Sequence, residues 1–473
     1  MGILRVLVVL SVAASLAALL LHLLGLLSIE VTNADPRPHG TVEDIRTLSE
    51  RDDLNVLFVM TDTLRSHRMS AYGYERETTP TFDYMASTGV RFARHLAQSS
   101  WTKCSMASLW TGLYPQRTGV LLSSHGLPEA ALMPAEILRD AGFRTAGIWR
   151  NGWVAPSFGF GQGFEVYERP APSSIGPHVR IENPHIKLEG TDNDVVDASL
   201  EFLRIHGRER WFLYVHLMDV HQYLYDTRSA LFGSSYSDIY DNSIRHTDEI
   251  IGQLLTHLVD RGLLQKTLVV LASDHGEAFG ERGIEGHARE VFRETTDVPL
   301  VIGFPFQLES SLVVDLRSRN VDIWPTILDL LALPELPDTD GRSLIPSILA
   351  AAGAHPPVDD VAGIAHLDRG WGRTEMPSRP AVAVSRGNFR YVLQRGTGEE
   401  DDPTRESLFD SRADPLERKN VLAAHSEVAG ELRGIALQYL ESSPRPWGED
   451  GPMNVEIDEE EAARLRALGY AIP

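Results

Sequence analysis

Three apolar runs in this 473-residue chain break at an aspartate: residues 55–61 lead into Asp62, 211–218 into Asp219, and 267–273 into Asp274. Asp274 is followed directly by His275, and Asp219 two positions later by His221. Carboxylate oxygens with one imidazole are donors for a divalent cation such as Mn, Mg, Ca or Zn, and an oxygen-rich set argues against a structural zinc site of the cysteine type. That chemistry belongs to metal-assisted hydrolysis or group transfer. A lone strand-ending aspartate is often only a turn residue, but three in succession, one joined to a histidine, mark a site. Of the other histidines, His287 follows a glycine-rich loop and reads as functional. His216 lies inside an apolar run and reads as a satisfied core histidine. If Asp219, His221 and His287 met, a second ion could bind, and the spacing leaves that open.

These aspartates share an edge only if their runs are parallel strands. From Asp53 onward apolar runs alternate with helical patterns: a helix near 80–88, a strand at 145–149, a helix over about 238–261, and an apolar run at 299–303 before a helix at 321–331. The alternation predicts an α/β fold, a mostly parallel central sheet sandwiched by helices. Open sheets of this kind place their ligand crevice at the carboxyl ends of the strands. A Gly- and Pro-rich stretch at 356–380 marks a boundary, and the strand and helix patterns beyond it predict a small C-terminal α+β subdomain. The expected division is a catalytic domain over 53–352 and a C-terminal subdomain with an acidic tail over 353–473.

A formal net charge of −22 excludes nucleic acid as a partner, because phosphate backbones are held by clustered lysine and arginine. The acidic runs at 399–402 and 456–461 read as solvated surface. Cys104 is the only cysteine, so no internal disulfide forms and location is read from the N-terminus. Residues 6–29 are apolar except for Ser11, Ser15, His22 and Ser28; Arg5 precedes them and Glu30 and Asp35 follow. That length suits a membrane-spanning anchor within residues 1–29, with the N-terminus cytoplasmic, a linker at 30–52 and the catalytic body outside the cytoplasm, periplasmic or extracellular. Cleavage after Ala34, as a secretory signal, is the alternative.

Residues 99–115, SSWTKCSMASLWTGLYP, resemble the nucleophile motif of the sulfatase family in the alkaline phosphatase superfamily, where a CxPSR or SxPSR core precedes a helix ending in TGxYP. Counting back from Thr111-Gly112-Leu113-Tyr114-Pro115 puts the family's nucleophile position on Thr102, its proline on Cys104 and its arginine on Met106. The resemblance extends to Asp62-Thr63-Leu64-Arg65 as first metal motif, Asp219-Val220-His221 as substrate motif, and Ser273-Asp274-His275-Gly276-Glu277 with Gly286-His287. It continues through Asp322 to Thr326, Asp340 to Leu344, and Leu408 to Pro415. In all it covers about residues 53–440.

The resemblance implies that Asp62, Thr102, Asp274 and His275 hold one divalent ion and that Thr102 is the nucleophile. His221 and His287 would face the substrate, one of them protonating the leaving oxygen, with Lys103 as a further substrate-binding residue. Thr63 stands where many sulfatases have a second aspartate, which favours Mn or Zn over Ca. Threonine cannot be converted to the formylglycine of typical sulfatases, so a threonine hydroxyl would attack directly; a formylglycine made from Cys104 is the competing reading. The expected activity is hydrolysis of a sulfate or phosphate ester on a small molecule, glycan or lipid. A transferase acting on envelope glycans or lipids, and an inactive binding scaffold, are the alternatives.

Overall fold

Every residue of the strand Asn55–Thr61 is buried, and its side chains divide by the two-residue period of a strand. Val56, Phe58 and Met60 join one hydrophobic cluster with Trp110 and Trp324, while Leu57 and Val59 join another with Phe82, Ile251 and Leu254. A strand covered on both faces has no polar side, which is why its sequence is a continuous apolar run. The computed structural model describes residues 35–467 except 174–175, 184–189, 374–376, 398–401, 443–445, 448–450 and 458. The apolar stretch 6–29 lies outside the described residues, and among the described residues no helix is long and apolar enough to cross a membrane.

The central sheet has eight strands in the order Leu312–Val314, Val90–Phe92, Leu300–Gly303, Thr267–Ala272, Asn55–Thr61, Trp211–Leu217, Arg144–Ile148 and Val166–Glu168. All run in one direction except Leu300–Gly303, which is antiparallel to both of its neighbours. This is the α/β architecture expected from the sequence. Helices Pro80–Thr88, Asp192–His206 and Tyr236–Asp260 supply the core on one face. Helices Thr102–Thr111 and Ile323–Leu330 supply it on the other, where Trp110 and Trp324 stack at 5.2 Å. A four-stranded antiparallel sheet, Gly363–Asp368, Pro380–Arg386, Phe389–Gln394 and Arg405–Asp410, follows. The helix Ser426–Glu441 packs on it through Ala429, Leu432 and Ala436.

The three central strands, Thr267–Ala272, Asn55–Thr61 and Trp211–Leu217, are parallel neighbours, with Met60 opposite Ala272 and Thr61 opposite Leu217. Asp274, Asp62 and Asp219 therefore leave the sheet at one edge. All ten residues of the helix Thr102–Thr111, which starts at that edge, are buried. Its far end is pinned by the segment around Asp340. Gly112, at φ +69°, closes the helix in the left-handed region. The Gly112 carbonyl accepts from Asp340 N–H at 2.8 Å, and the Asp340 carboxylate accepts from Tyr114 N–H at 2.8 Å. A β-carbon on Gly112 would lie 2.3 Å from Thr339 Oγ1.

Gly112→Ala should therefore destabilise the protein by about 2 kcal/mol, adding left-handed backbone strain to a steric clash. A urea midpoint unchanged from wild type would show that neither constraint holds.

Candidate active site

Asp62 follows the central strand and is fully buried. Its Oδ2 accepts from Asn151 Nδ2 at 2.6 Å and from His216 Nε2 at 3.1 Å. An ionised carboxylate only accepts, so His216 carries its proton on Nε2, and its Nδ1 accepts from the Tyr214 hydroxyl at 2.7 Å. Asp274, one strand away, accepts on Oδ1 from Thr63 N–H at 3.2 Å and His275 N–H at 2.8 Å. Thr63 adopts φ +59°, unusual for a β-branched residue and a sign of local strain. Its hydroxyl turns back to the Asp62 carbonyl at 2.7 Å.

One oxygen of each carboxylate is left over. Asp62 Oδ1 and Asp274 Oδ2 are buried and have no hydrogen-bond partner. His275 Nε2 lies 3.9 Å from the first and 3.4 Å from the second. The His275 Nδ1–H donates to the Gly276 carbonyl at 3.0 Å, which leaves the Nε2 lone pair directed into the cluster. Thr102 Oγ1 is 3.1 Å from that nitrogen and accepts from Asn151 Nδ2 at 3.2 Å. Orphaned carboxylate oxygens in a dry interior are costly without a counter-charge. Two of them converging with an imidazole lone pair and a hydroxyl fit a divalent cation. By distance alone His216 also groups with Asp62 and Asp274, their ligand atoms lying within 4.8 Å of one another. The hydrogen bond from His216 to Asp62 Oδ2 instead makes it the residue that orients a ligand.

Burial alone would raise the Asp62 carboxyl, but the His216 hydrogen bond and the histidines around it hold it below the usual range. Burial and the neighbouring Asp62 charge push Asp274 up. Across from Thr102, the His275 and His287 rings are 4.7 Å apart and the His287 and His221 rings 4.9 Å. Burial drives His221 down to about 4. Burial would lower His287 too, but the Glu277 carboxylate, accepting from its Nδ1–H at 3.0 Å, outweighs that and raises it.

Asp62, Thr102, Asp274, His275, His221 and His287 are thus brought to one place. Lys103 is not among them. Its ammonium donates to the Ser123 carbonyl, lies 3.7 Å from the Phe158 ring centroid and 4.6 Å from that of Trp153, and is pushed well below its ordinary pKa by burial. Asp219 is also diverted, since its carboxylate binds Arg150 at 2.6 Å and the Asp192 backbone N–H. Cys104 Sγ is buried 3.9 Å from the His366 carbonyl, and burial drives its thiol up to about 12. His216 is the satisfied, buried histidine expected from the sequence, both ring nitrogens being hydrogen-bonded, and one of its partners is the Asp62 carboxylate. Asn151 and Glu277 went unassigned in the sequence; Asn151 follows the end of a fourth parallel strand, so the strand-end rule that marked the aspartates applies to it as well.

The sequence profile of the sulfatase family matches residues 54–333. An ulvan-active sulfatase of Formosa agariphila is 26% identical over 424 residues, covering 80% of each chain. Two solved structures share the fold. A protein in complex with its substrate D-glucosamine-2-N,6-O-disulfate gives a TM-score of 0.64 at 19% identity, covering 84% of this chain and 99% of its own. The phosphonate monoester hydrolase of Agrobacterium radiobacter gives 0.65 at 19% identity, covering 85% and 100%.

The purified protein should carry a divalent ion that Asp274→Ala loses, while His216→Ala should bind it about 10- to 100-fold more weakly, as loss of an orienting partner does. Elemental analysis showing full metal content in Asp274→Ala would remove this ligand assignment.

Proposed function

The chain belongs to the sulfatase family of ester hydrolases, and we propose that it cleaves sulfate esters on a glycan or small molecule with the Thr102 hydroxyl as nucleophile. One observation carries this reading. Thr102 Oγ1, on the first residue of a buried helix, sits within 3.2 Å of both His275 Nε2 and Asn151 Nδ2, whereas the Cys104 thiol lies against a carbonyl of the C-terminal sheet. The substrate class is supported by the names and bound substrate of the relatives described above.

Asp62, Asp274, His275 and Thr102 would hold the divalent cation, and the mixed oxygen and nitrogen donors favour Mn or Zn. Bound there, the cation would supply positive charge that lowers the hydroxyl pKa of Thr102 and offsets charge on the ester oxygens. Asn151 holds Oγ1 through Nδ2–H, and the helix N-terminus faces the charge that develops on it. The Thr102 proton passes to solvent, Oγ1 attacks sulfur, and the bond from sulfur to the ester oxygen breaks. Glu277 fixes the His287 ring by Nδ1, giving Nε2 the role of acid that protonates the departing alcohol. Neutral His221 offers a hydrogen bond to the sulfuryl group. Water then attacks the sulfothreonine, His287 takes one of its protons and the other passes to Thr102 Oγ1 as the sulfur–Oγ1 bond breaks, releasing sulfate and restoring Thr102 and the protonated His287. The N-terminal run 6–29 is proposed as an anchor that keeps this hydrolase at the outer face of a membrane.

Thr102→Ala should lower kcat by several orders of magnitude and Cys104→Ala should have little effect. Intact-mass analysis should find Cys104 unmodified and a trapped sulfuryl or phosphoryl group on Thr102. Formylglycine at residue 104, or an active Thr102→Ala, would replace this mechanism with the cysteine-derived one. His287→Ala should hurt alkyl esters far more than nitrophenyl esters, whose leaving group needs no proton. Equal losses in kcat/KM, which is set before the intermediate is hydrolysed, would take the acid role from His287.

A further inference from the structure

Apart from the catalytic cluster, a cavity of about 400 Å³ is lined by Arg94, Arg293, Arg317 and Arg390, with Asp297 as its one carboxylate and His67 on its wall. Two of these arginines also meet carboxylates outside the lining, Arg390 with Glu417 at 2.9 Å and Arg94 with Asp315 at 3.9 Å, and with Asp297 that leaves one positive charge in excess, in a chain whose net charge is −22. Arg390 is fully engaged: it donates to Glu417 at 2.9 Å, to Thr296 Oγ1 at 2.8 Å and to Asp297. Arg317 is not. It is 7% exposed, its Nε–H is buried without a hydrogen-bond partner, and its Nη2 reaches the Gly387 carbonyl at 3.3 Å. Both His67 ring nitrogens are buried without a hydrogen-bond partner, and Nε2 is 3.9 Å from Asp297 Oδ2. Arg293 approaches the same carboxylate at 3.7 Å. A guanidinium N–H can only donate, so the unmet donor in this wall calls for an acceptor.

An adjoining cavity of about 460 Å³ shares His67 and Arg293. There Arg65 is paired with Glu281 at 2.6 Å and Arg282 with Glu294 at 3.2 Å. Arg317, whose Nε–H has no partner, lines only the first of the two cavities. Arg293 and Arg317, from separate chain segments, can offer N–H groups to several oxygens of one anion, with Arg94, which already donates to the Asp315 and Gly387 carbonyls, as a further wall residue. The volume exceeds that of a bare ion and falls in the range of small-molecule sites.

We propose that this arginine cavity is an oxyanion-binding site, distinct from the catalytic cluster, that takes a sulfate or phosphate group either as the free ion or as an ester on a larger molecule. The site does not depend on the identity of the catalytic nucleophile. Crystals of the full chain soaked in selenate, an anomalous scatterer isosteric with sulfate, should show selenium between Arg293 and Arg317. In calorimetric titrations with sodium sulfate, Arg293→Gln and Arg317→Gln should each weaken this binding event roughly tenfold, the scale of one charge-assisted hydrogen bond. Their kcat on a small aryl ester should match wild type. Half-buried Arg94→Gln should weaken binding in the same sense and keeps the test open if Arg317→Gln does not fold. A sulfated oligosaccharide binding more tightly than sulfate, with the same losses, identifies an ester group as the source; equal affinity identifies the free ion. Absence of selenium from the cavity, or isotherms unchanged in all three variants, overturns the proposal, as does an ion seen only at crystal concentration.

Discussion

Two carboxylate oxygens, Asp62 Oδ1 and Asp274 Oδ2, point into a dry interior with no protein donor to meet them. A fold tolerates such groups only where a counter-charge is part of the functional state, because a buried unpaired carboxylate costs several kcal/mol. Much of the neighbouring structure serves that convergence. Parallel pairing of Asn55–Thr61 with Thr267–Ala272 puts both aspartates at one edge. Asn151 and His216 occupy the other oxygen of Asp62, and the strained Thr63 supplies a backbone N–H to the other oxygen of Asp274. Each partner removes rotational freedom from a carboxylate and leaves one oxygen for the proposed cation, the kind of preorganisation that electrostatic catalysis requires.

Helix geometry decides which side chain of the nucleophile segment can reach this place. Successive helical residues are about 100° apart, so Lys103 and Cys104 point about 100° and 200° away from Thr102. Cys104 meets the His366 carbonyl of the C-terminal sheet, and Lys103 is enclosed by aromatic rings. Lys103 therefore does not replace the arginine whose family position falls on Met106, itself wholly buried in the core. In the proposed mechanism, anion recognition in the cleft falls to the helix N-terminus, the cation and the two histidines.

The fold was legible because its strands are apolar on both faces and end in polar residues, a pattern that parallel sheets impose. The antiparallel strand Leu300–Gly303 was not, since direction leaves no trace in a run buried on both sides. Asp62, Asp274, His275 and His287 were readable from strand ends and a glycine-rich loop. His216 was readable as a satisfied core histidine, but its bond to Asp62 was not, because it depends on the pairing of Met60 with His216 across two strands. Asp219 looked like its neighbours in sequence, but Arg150, brought in from the next strand, takes its charge.

That arginine also explains how one sheet edge carries three aspartates without collapsing into mutual repulsion. Arg150 spans Asp192 and Asp219 at 2.8 and 2.6 Å, and the two backbones and carboxylates bond each other reciprocally. The third carboxylate is thereby tied to protein donors, whereas Asp62 and Asp274 each keep one oxygen without a donor. In the cavity beside the C-terminal sheet it is the unmet Nε–H of Arg317 that is left for an outside group, as the two orphaned carboxylate oxygens are in the cleft. In a chain of strongly negative overall charge, long-range attraction cannot be what brings an anionic ester to the protein. Recognition must be short-range, made by buried donors that replace water at the anion's oxygens.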